Sequence, residues 1–166
     1  MTPATEPEVL SRDEAVRQFE ALLESVPDAR RPGVAAWAVW GMAPWTSFSP
    51  YIRTMFTVGT EGYGERFDAL DRAVSSAAVA RSLVADRRYG PAIEVAVQAV
   101  DFADEGGGGP VRRACEAILT RARLLGGRIA DGLTSIEAGR VADAPSDPET
   151  FRAEALLTLG LADVIR

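Results

Sequence analysis

The side chains that this sequence lacks limit its chemistry more than those it contains. It has no histidine, lysine or asparagine, all 18 basic residues are arginine, and Cys115 is the single cysteine. Serine–histidine and cysteine–histidine dyads, histidine-bound zinc or haem, and a Schiff-base lysine are therefore excluded. Asp, Glu, Arg, Tyr, Ser, Thr and Cys115 remain as groups for catalysis. Cys115 lies among apolar residues, which favours a buried thiol over a reactive one.

One group of carboxylates has the spacing of a cation site. Asp101, Asp104 and Glu105 lie at i, i+3 and i+4, so one helix face presents all three. Magnesium that bridges a diphosphate takes such ligands, but this chemistry needs a second carboxylate group and a larger apolar cavity. The other candidate set is Glu65, Asp68 and Asp71. A solvated helix end explains the first group better, and we predict neither a metal nor a cofactor.

Aromatic residues are concentrated in the N-terminal third of the chain. Side chains of this kind line ligand pockets, form interface hot spots or fill a core. We favour the core, and a protein interface or a small-molecule pocket stays open. No basic residue lies between Pro32 and Ile52, which disfavours an amphipathic membrane anchor. The segment comprises Trp37, Trp40, Trp45, Phe48, Tyr51 and Phe56.

Charge and hydropathy restrict the partners of the protein. The formal net charge is −6, which disfavours nucleic acid because affinity there comes mainly from neutralising phosphates. Residues 111–142 have the opposite charge balance, with six arginines against three acidic residues. The first eight residues lack the pattern of a signal peptide. The longest apolar run, 34–40, is far shorter than the ~20 residues of a membrane span. We therefore expect a cytoplasmic protein that binds neither nucleic acid nor membrane.

Apolar residues recur at helical spacing, and no segment alternates with the period of a strand, so we predict an all-α protein. Residues 1–10 are interpreted as a loose tail, 11–64 as N-terminal helices with the aromatic segment, and 65–166 as helical hairpins in the same domain.

Ser11 and Glu14 form a capping box that begins the first helix. A late helix is predicted over 128–142. The clearest core-facing stripe is Val111, Cys115, Ile118, Ala122 and Leu125.

An internal repeat relates the helices of the second half. Residues from 76, 116 and 156 onward align at a constant offset of 40, which superimposes Val79, Leu119 and Leu159. The segment 88–94 with Ala99, and the pair Leu159-Gly160, resemble the tetratricopeptide-repeat family. This resemblance implies antiparallel helical hairpins stacked as a short array, with an unpaired last helix as its cap. A compact helical bundle is the alternative.

Two arginines occupy equivalent places in this alignment. Arg81 and Arg121 each stand two residues after the large apolar residue. In the tetratricopeptide-repeat family the first helices line the concave surface. The resemblance therefore implies that both arginines project into one groove, with Arg113 near the start of its helix. Because an arginine fork suits carboxylates and phosphates, we predict binding of an acidic peptide segment or a carboxylate terminus. Pairing of these arginines with nearby acids is the alternative.

The sequence favours a non-catalytic helical module that binds a protein or peptide, and self-association is also open. The second hypothesis is a small-molecule-binding protein, or a small cofactor-independent enzyme, with a Trp-lined pocket and Asp, Glu or Tyr as its acid–base groups. The third is an acidic inhibitor or immunity-type protein. A closed apolar pocket beside the aromatic segment would favour the second hypothesis. An open groove lined by Arg81, Arg113 and Arg121 would favour the first.

Overall fold

The computed structural model describes residues 11–42 and 61–166. Within those ranges the regular elements are helical and no strand is present, which confirms the all-α prediction. The helices pack together as a bundle. Short 3₁₀ turns cover Asp28–Arg30 and Gly64–Arg66. The α-helices are α1 (Arg12–Ser25), α2 (Arg31–Met42), α3 (Ala69–Ala85), α4 (Tyr89–Glu105), α5 (Gly109–Leu125), α6 (Ile129–Glu137) and α7 (Glu149–Ile165).

Side chains cap the starts of α1 and α3. Ser11 Oγ accepts a hydrogen bond from the backbone N–H of Glu14 at 3.3 Å, as the capping box predicted. The Asp68 carboxylate accepts one from the N–H of Asp71 at 2.8 Å. A helix start leaves backbone N–H groups without intrahelical partners, so each cap stabilises its helix by about 1 kcal/mol.

Three-residue turns join the helices from α3 to α6. Residues 86–88, 106–108 and 126–128 separate successive helices, and turns this short make neighbouring helices antiparallel. The middle residue of each turn has a positive φ, which is 59° at Arg87, 65° at Gly107 and 83° at Gly127. Glycine adopts this conformation freely, whereas Arg87 adopts it at a cost of about 1–2 kcal/mol.

Helix starts recur at a regular interval. Helices α3, α5 and α7 begin at Ala69, Gly109 and Glu149, and each has 17 residues. Helix α6 ends at Glu137, short of the predicted residue 142. A left-handed Gly139 with φ 68° closes it, because the N–H of Gly139 bonds back to the carbonyl of Ile136 at 2.9 Å. The packed helices agree with the compact helical bundle that the sequence offered as an alternative. The tetratricopeptide-like array stays a prediction.

The main core lies between α3, α4 and α5 and is rich in alanine, which lets the helices approach closely. Four of the five residues in the predicted α5 stripe are buried, whereas Leu125 is 40% exposed. Trp40 of α2 and Phe151 of α7 extend this core. A second, smaller core joins α1 and α2 and contains Phe19, Leu23, Ala35, Ala36 and Phe67.

Some sequence predictions fall outside the described residues. They are the tail over 1–10 and four members of the aromatic segment, namely Trp45, Phe48, Tyr51 and Phe56. Across 11–42 and 61–166, no helix combines the length and apolarity that crossing a membrane requires.

Candidate functional site

Arg81 and Arg121 meet at one carboxylate. Arg81 Nη1 donates to Glu154 Oε1 at 3.0 Å, and Arg121 Nη2 donates to Glu154 Oε2 at 2.6 Å. Arg81 and Glu154 are buried, and the Arg121 side chain is only 12% exposed. The two predicted groove arginines are therefore together, but a carboxylate from a distant part of the chain already bridges them.

Helix packing holds each member of this triad in place. Arg81 lies on α3, Arg121 on α5 and Glu154 on α7. One turn after Glu154, the Thr158 hydroxyl shares its single proton between the carbonyl of Ala117 in α5 at 3.0 Å and that of Glu154 in α7 at 2.8 Å, so α7 lies in hydrogen-bonding contact with α5. The position of the Glu154 carboxylate thus follows from a helix–helix contact rather than from the ion pairs alone.

Trp40 closes the other side of Arg81. Arg81 Nη2 donates to the Trp40 carbonyl at 2.6 Å, and its guanidinium lies 4.2 Å from the centroid of the Trp40 ring. The ring packs edge-on against Phe151, with 5.3 Å between centroids. Trp37, also near Phe151 at 5.9 Å, is 41% exposed. The described part of the aromatic segment therefore both fills the core and covers the site.

The triad carries one positive charge in excess. Burial lowers the pKa of Arg81, Glu154 opposes that shift, and the neighbouring Arg121 adds to it. Arginine nevertheless stays protonated in proteins, so two cations face one carboxylate. Two charges of the same sign in a partly dry setting attract a further anion.

Three N–H groups at this site are buried without a hydrogen-bond partner in the described part of the chain. They belong to Arg81 Nε, Arg121 Nη1 and Trp40 Nε1. A buried donor left unpaired costs about 1–3 kcal/mol, and such groups are uncommon in folded proteins. Each of these nitrogens is also closed to solvent, so a ligand can accept their hydrogen bonds only if the neighbouring side chains move.

Two pockets adjoin the triad and share Arg81, Glu154 and Leu157. We name the first, of about 350 Å³, the arginine pocket. Its lining is Arg81, Val84, Ala85, Arg121, Leu125, Glu154, Leu157 and Leu161. We name the second, of about 210 Å³, the tryptophan pocket. Its lining is Trp40, Gly41, Arg81, Glu149, Thr150, Ala153, Glu154 and Leu157.

The outer face of α7 is apolar and uncovered by the described residues. Leu156, Leu157 and Val164 are 51%, 52% and 84% exposed. A side chain at Gly160, in the same face, would meet nothing within 4 Å. An open concavity of about 650 Å³ runs along this face, next to the arginine pocket. The arginine pocket therefore opens toward an apolar helix surface.

Arg113 does not join the other two arginines. Its Nε and Nη2 bind both oxygens of Asp147, at 2.7 and 2.5 Å, and it lines neither named pocket. This two-bond pair lowers the pKa of Asp147 and raises that of Arg113. The pair fastens the segment before α7 to the first turns of α5, which is a structural role.

The other groups singled out in the sequence have ordinary surroundings. Asp104 pairs with Arg112 at 2.5 Å, and Asp101 and Glu105 are exposed. Among the residues that the structure describes, no group of three His, Cys, Asp or Glu side chains is arranged to hold a metal. Burial, reinforced by Glu116, raises the pKa of the Cys115 thiol to about 12, so this thiol is not a nucleophile at neutral pH.

Sequence reasoning did not identify Glu154. A signal was present, since Glu154 falls 40 residues after Ala114 and 80 after Val74, both of which are buried and apolar. A charged residue at a position that is apolar in the two equivalent helices indicates a buried ionic partner. At the same offset of 40 residues, the position equivalent to Arg81 and Arg121 in the last helix is Leu161. This leucine lines the arginine pocket.

Comparison with family models, with curated proteins and with solved structures found no match. The likeness to tetratricopeptide repeats therefore has no support from these comparisons and stays a prediction from the sequence.

Proposed function

We propose that this protein is a non-catalytic helical module that binds a protein or peptide segment in the arginine pocket and along the outer face of α7. The partner supplies a carboxylate to Arg81 and Arg121 and apolar side chains to the α7 leucines. The positive excess at the triad sets this site apart from the acidic surface of the chain as a whole, whose net charge is −6.

The observation that carries this proposal is the convergence of Arg81 and Arg121 on Glu154. Two guanidinium groups share one carboxylate, and each keeps one buried N–H without a partner among the described residues. Arginines that only stabilise a fold usually have their donors satisfied. The free donors point to a further acceptor that arrives with a ligand.

The outer face of α7 supports a macromolecular partner. Singly exposed apolar residues are ordinary, but Leu156, Leu157 and Val164 form a contiguous face on one helix. Gly160 lowers helix stability by about 1 kcal/mol relative to alanine, and nothing within the described chain packs against it. A bare glycine among exposed leucines suits the close approach of a partner segment.

The chemistry of the site favours binding over catalysis. Arginine does not exchange protons near neutral pH, and Glu154 accepts hydrogen bonds from both guanidinium groups. A general base must be free to take a proton from the substrate, whereas this carboxylate is already engaged.

A peptide-display selection tests the proposed function. We expect random peptides selected on the wild-type protein to combine an acidic group with aliphatic residues. Selection on Arg121→Gln is expected to lose these sequences, whereas the matched variant Arg128→Gln, which changes an exposed arginine at the start of α6, retains them. Failure to enrich any sequence, or the same enrichment with Arg121→Gln, would contradict the proposal.

The tryptophan pocket gives the second candidate function, which is small-molecule binding. Trp40 forms one wall beside Arg81, and the volume of about 210 Å³ is below the ~300–1,000 Å³ of most ligand sites. A fragment screen followed by heteronuclear NMR distinguishes the two candidates. Fragments that shift the Trp40 indole N–H signal without shifting Val84, Arg121 or Leu161, which line the arginine pocket but not the tryptophan pocket, would favour this second function.

A further inference from the structure

We infer that the unit recognised by the arginine pocket is an aliphatic carboxylate, a single negative carboxylate carried next to a branched hydrocarbon group. This inference rests on the proposed function for the location of the site and adds the chemical class of the ligand. The last residue of a peptide with a free α-carboxylate and a Leu, Val or Ile side chain has this chemistry, and so does a free branched aliphatic acid.

The arrangement of donors suits a carboxylate. Arg81 Nε and Arg121 Nη1 belong to different helices, and their arginines lie on the two oxygens of Glu154. A ligand carboxylate has two acceptor oxygens, so it can take one N–H from each arginine once a shift of these side chains turns the buried donors toward the pocket. An amide or a hydroxyl group provides one such oxygen and no charge, so it leaves part of the site unsatisfied.

The charge balance selects a monoanion. Arg81, Arg121 and Glu154 sum to one excess positive charge, and no other charged residue among those that the structure describes lines the arginine pocket. One carboxylate brings the site to neutrality, whereas a phosphate dianion brings it to a net negative charge. Glu149, the charged residue that the adjoining tryptophan pocket adds, disfavours an anion on that side. We therefore place the ligand carboxylate in the arginine pocket, next to Arg121.

The remaining wall of the arginine pocket is aliphatic. Val84, Leu125, Leu157 and Leu161 also line the pocket, and Leu125 and Leu157 are 40% and 52% exposed. The volume of about 350 Å³ is at the low end of ligand sites, ~300–1,000 Å³. That volume suits one aliphatic residue with its carboxylate. In a peptide ligand, the residues that precede this last one lie along the outer face of α7.

The Glu154 carboxylate competes with a ligand anion for the hydrogen bonds of Arg81 and Arg121. It accepts the hydrogen bonds that an incoming anion would otherwise attract, and its charge repels that anion. Glu154→Gln keeps the shape of the side chain and removes the charge. This change raises the excess charge of the site from one to two, so the affinity for a carboxylate is expected to increase about tenfold.

The experiment compares matched probes on the full chain by ¹⁵N NMR titration. The probes are acetyl-Gly-Gly-Leu with a free carboxylate, the same peptide as its C-terminal amide, 3-methylbutanoate and inorganic phosphate. We expect the free-acid peptide to bind about tenfold or more tightly than the amide, because the charge-assisted hydrogen bonds are lost with the amide. Phosphate is expected to bind more weakly than 3-methylbutanoate.

Variants separate recognition from folding. Arg121→Gln is expected to weaken the free-acid peptide about tenfold and to leave the amide unchanged, whereas Arg128→Gln affects neither. The wild-type comparison of acid with amide needs no variant, so it decides the matter even if Glu154→Gln is poorly folded. Equal binding of acid and amide, or phosphate binding as strong as that of 3-methylbutanoate, would overturn the inference.

The outcomes also separate this inference from the proposed function. If 3-methylbutanoate binds and the free-acid peptide does not, the carboxylate site stands and the peptide-binding function fails. If display selection yields peptides that bind through internal acidic residues, with no preference for a free carboxyl end, the function stands and the inference fails.

Discussion

Arg81 contacts Trp40 in two ways, through a hydrogen bond of 2.6 Å to the Trp40 carbonyl and through a guanidinium that lies 4.2 Å from the ring centroid. The indole covers one face of the cation and keeps water from it. Since a buried cation is costly unless it is paired, this contact makes Arg81 depend on Glu154.

Removal of Arg81 is expected to destabilise the fold strongly. Arg81→Ala deletes a buried ion pair, the bond to α2 and the stacking on Trp40, so we expect a loss of about 3 kcal/mol or more in the free energy of unfolding. Arg81→Lys is expected to recover only part of this loss, because an ammonium cannot form both hydrogen bonds and stack. Urea denaturation measures both. A loss below about 1 kcal/mol, the range of exposed ion pairs, would contradict burial of the triad.

Replacement of the whole triad separates stability from recognition. In the triple variant Arg81→Met, Arg121→Met and Glu154→Leu, the desolvation of three charges disappears. The free energy of unfolding is therefore expected to stay equal or to rise by about 1–4 kcal/mol, as hydrophobic replacement of buried ionic groups often does. Binding of the free-acid peptide is expected to vanish. Retained binding in a folded triple variant would assign recognition to other residues.

Two helical glycines are expected to respond in opposite directions to alanine. A Cβ at Gly132 would lie 2.5 Å from Leu124 Cδ2, so Gly132→Ala is expected to cost about 1–3 kcal/mol through overpacking. Gly160 has open space around it, so Gly160→Ala is expected to stabilise the protein by up to about 1 kcal/mol. Thermal unfolding measures both changes. If both substitutions stabilise the protein, helix propensity alone decides them, and if both destabilise it, the space around Gly160 is not open.

The Arg113–Asp147 pair predicts a specific pH dependence. The hydrogen bonds from Arg113 hold the pKa of the Asp147 carboxyl below its usual value. A carboxyl of this kind stabilises the fold above its unfolded pKa of about 3.9, and the contribution is lost as the pH falls through the folded pKa. Wild type is therefore expected to be more stable than Asp147→Asn at pH 7, with the gap closing below about pH 4. Urea titrations at several pH values measure the gap.

The control for this experiment is Asp163→Asn, since the Asp163 carboxylate is 77% exposed and its nearest arginine is 3.8 Å away. We expect the control variant to follow the wild type at each pH. A gap between wild type and Asp147→Asn that does not change with pH would trace the stabilisation to packing rather than to charge.

Cys115 is expected to resist thiol reagents while the protein is folded. Burial and Glu116 raise the pKa of its thiol to about 12, and the thiolate is the reactive form. At pH 8 an aromatic disulfide reagent should label the thiol at the rate at which the fold opens, and quickly only in urea. Labelling of the native protein as fast as that of a free thiol would contradict this burial.

Local patterns predicted the helices, and long-range contacts account for what they missed. The stripe from Val111 to Ala122 identified the buried face of α5, because helical periodicity depends on near neighbours alone. Leu125 follows the same period yet is exposed, since it lies at the end of α5 where the arginine pocket opens. Arg113 was grouped with Arg81 and Arg121 by its place in the chain, whereas its partner Asp147 lies 34 residues away.

The bridge between Arg81 and Glu154 joins positions 73 residues apart, whereas the turns between α3 and α6 join immediate neighbours. Closing a long loop costs more conformational entropy than forming a hairpin, and contacts distant in sequence slow folding. We therefore expect the hairpins to form early and the docking of α7 to complete the folding reaction. The proposed recognition site would then be assembled in that last step and withheld from its ligand until the rest of the chain has folded.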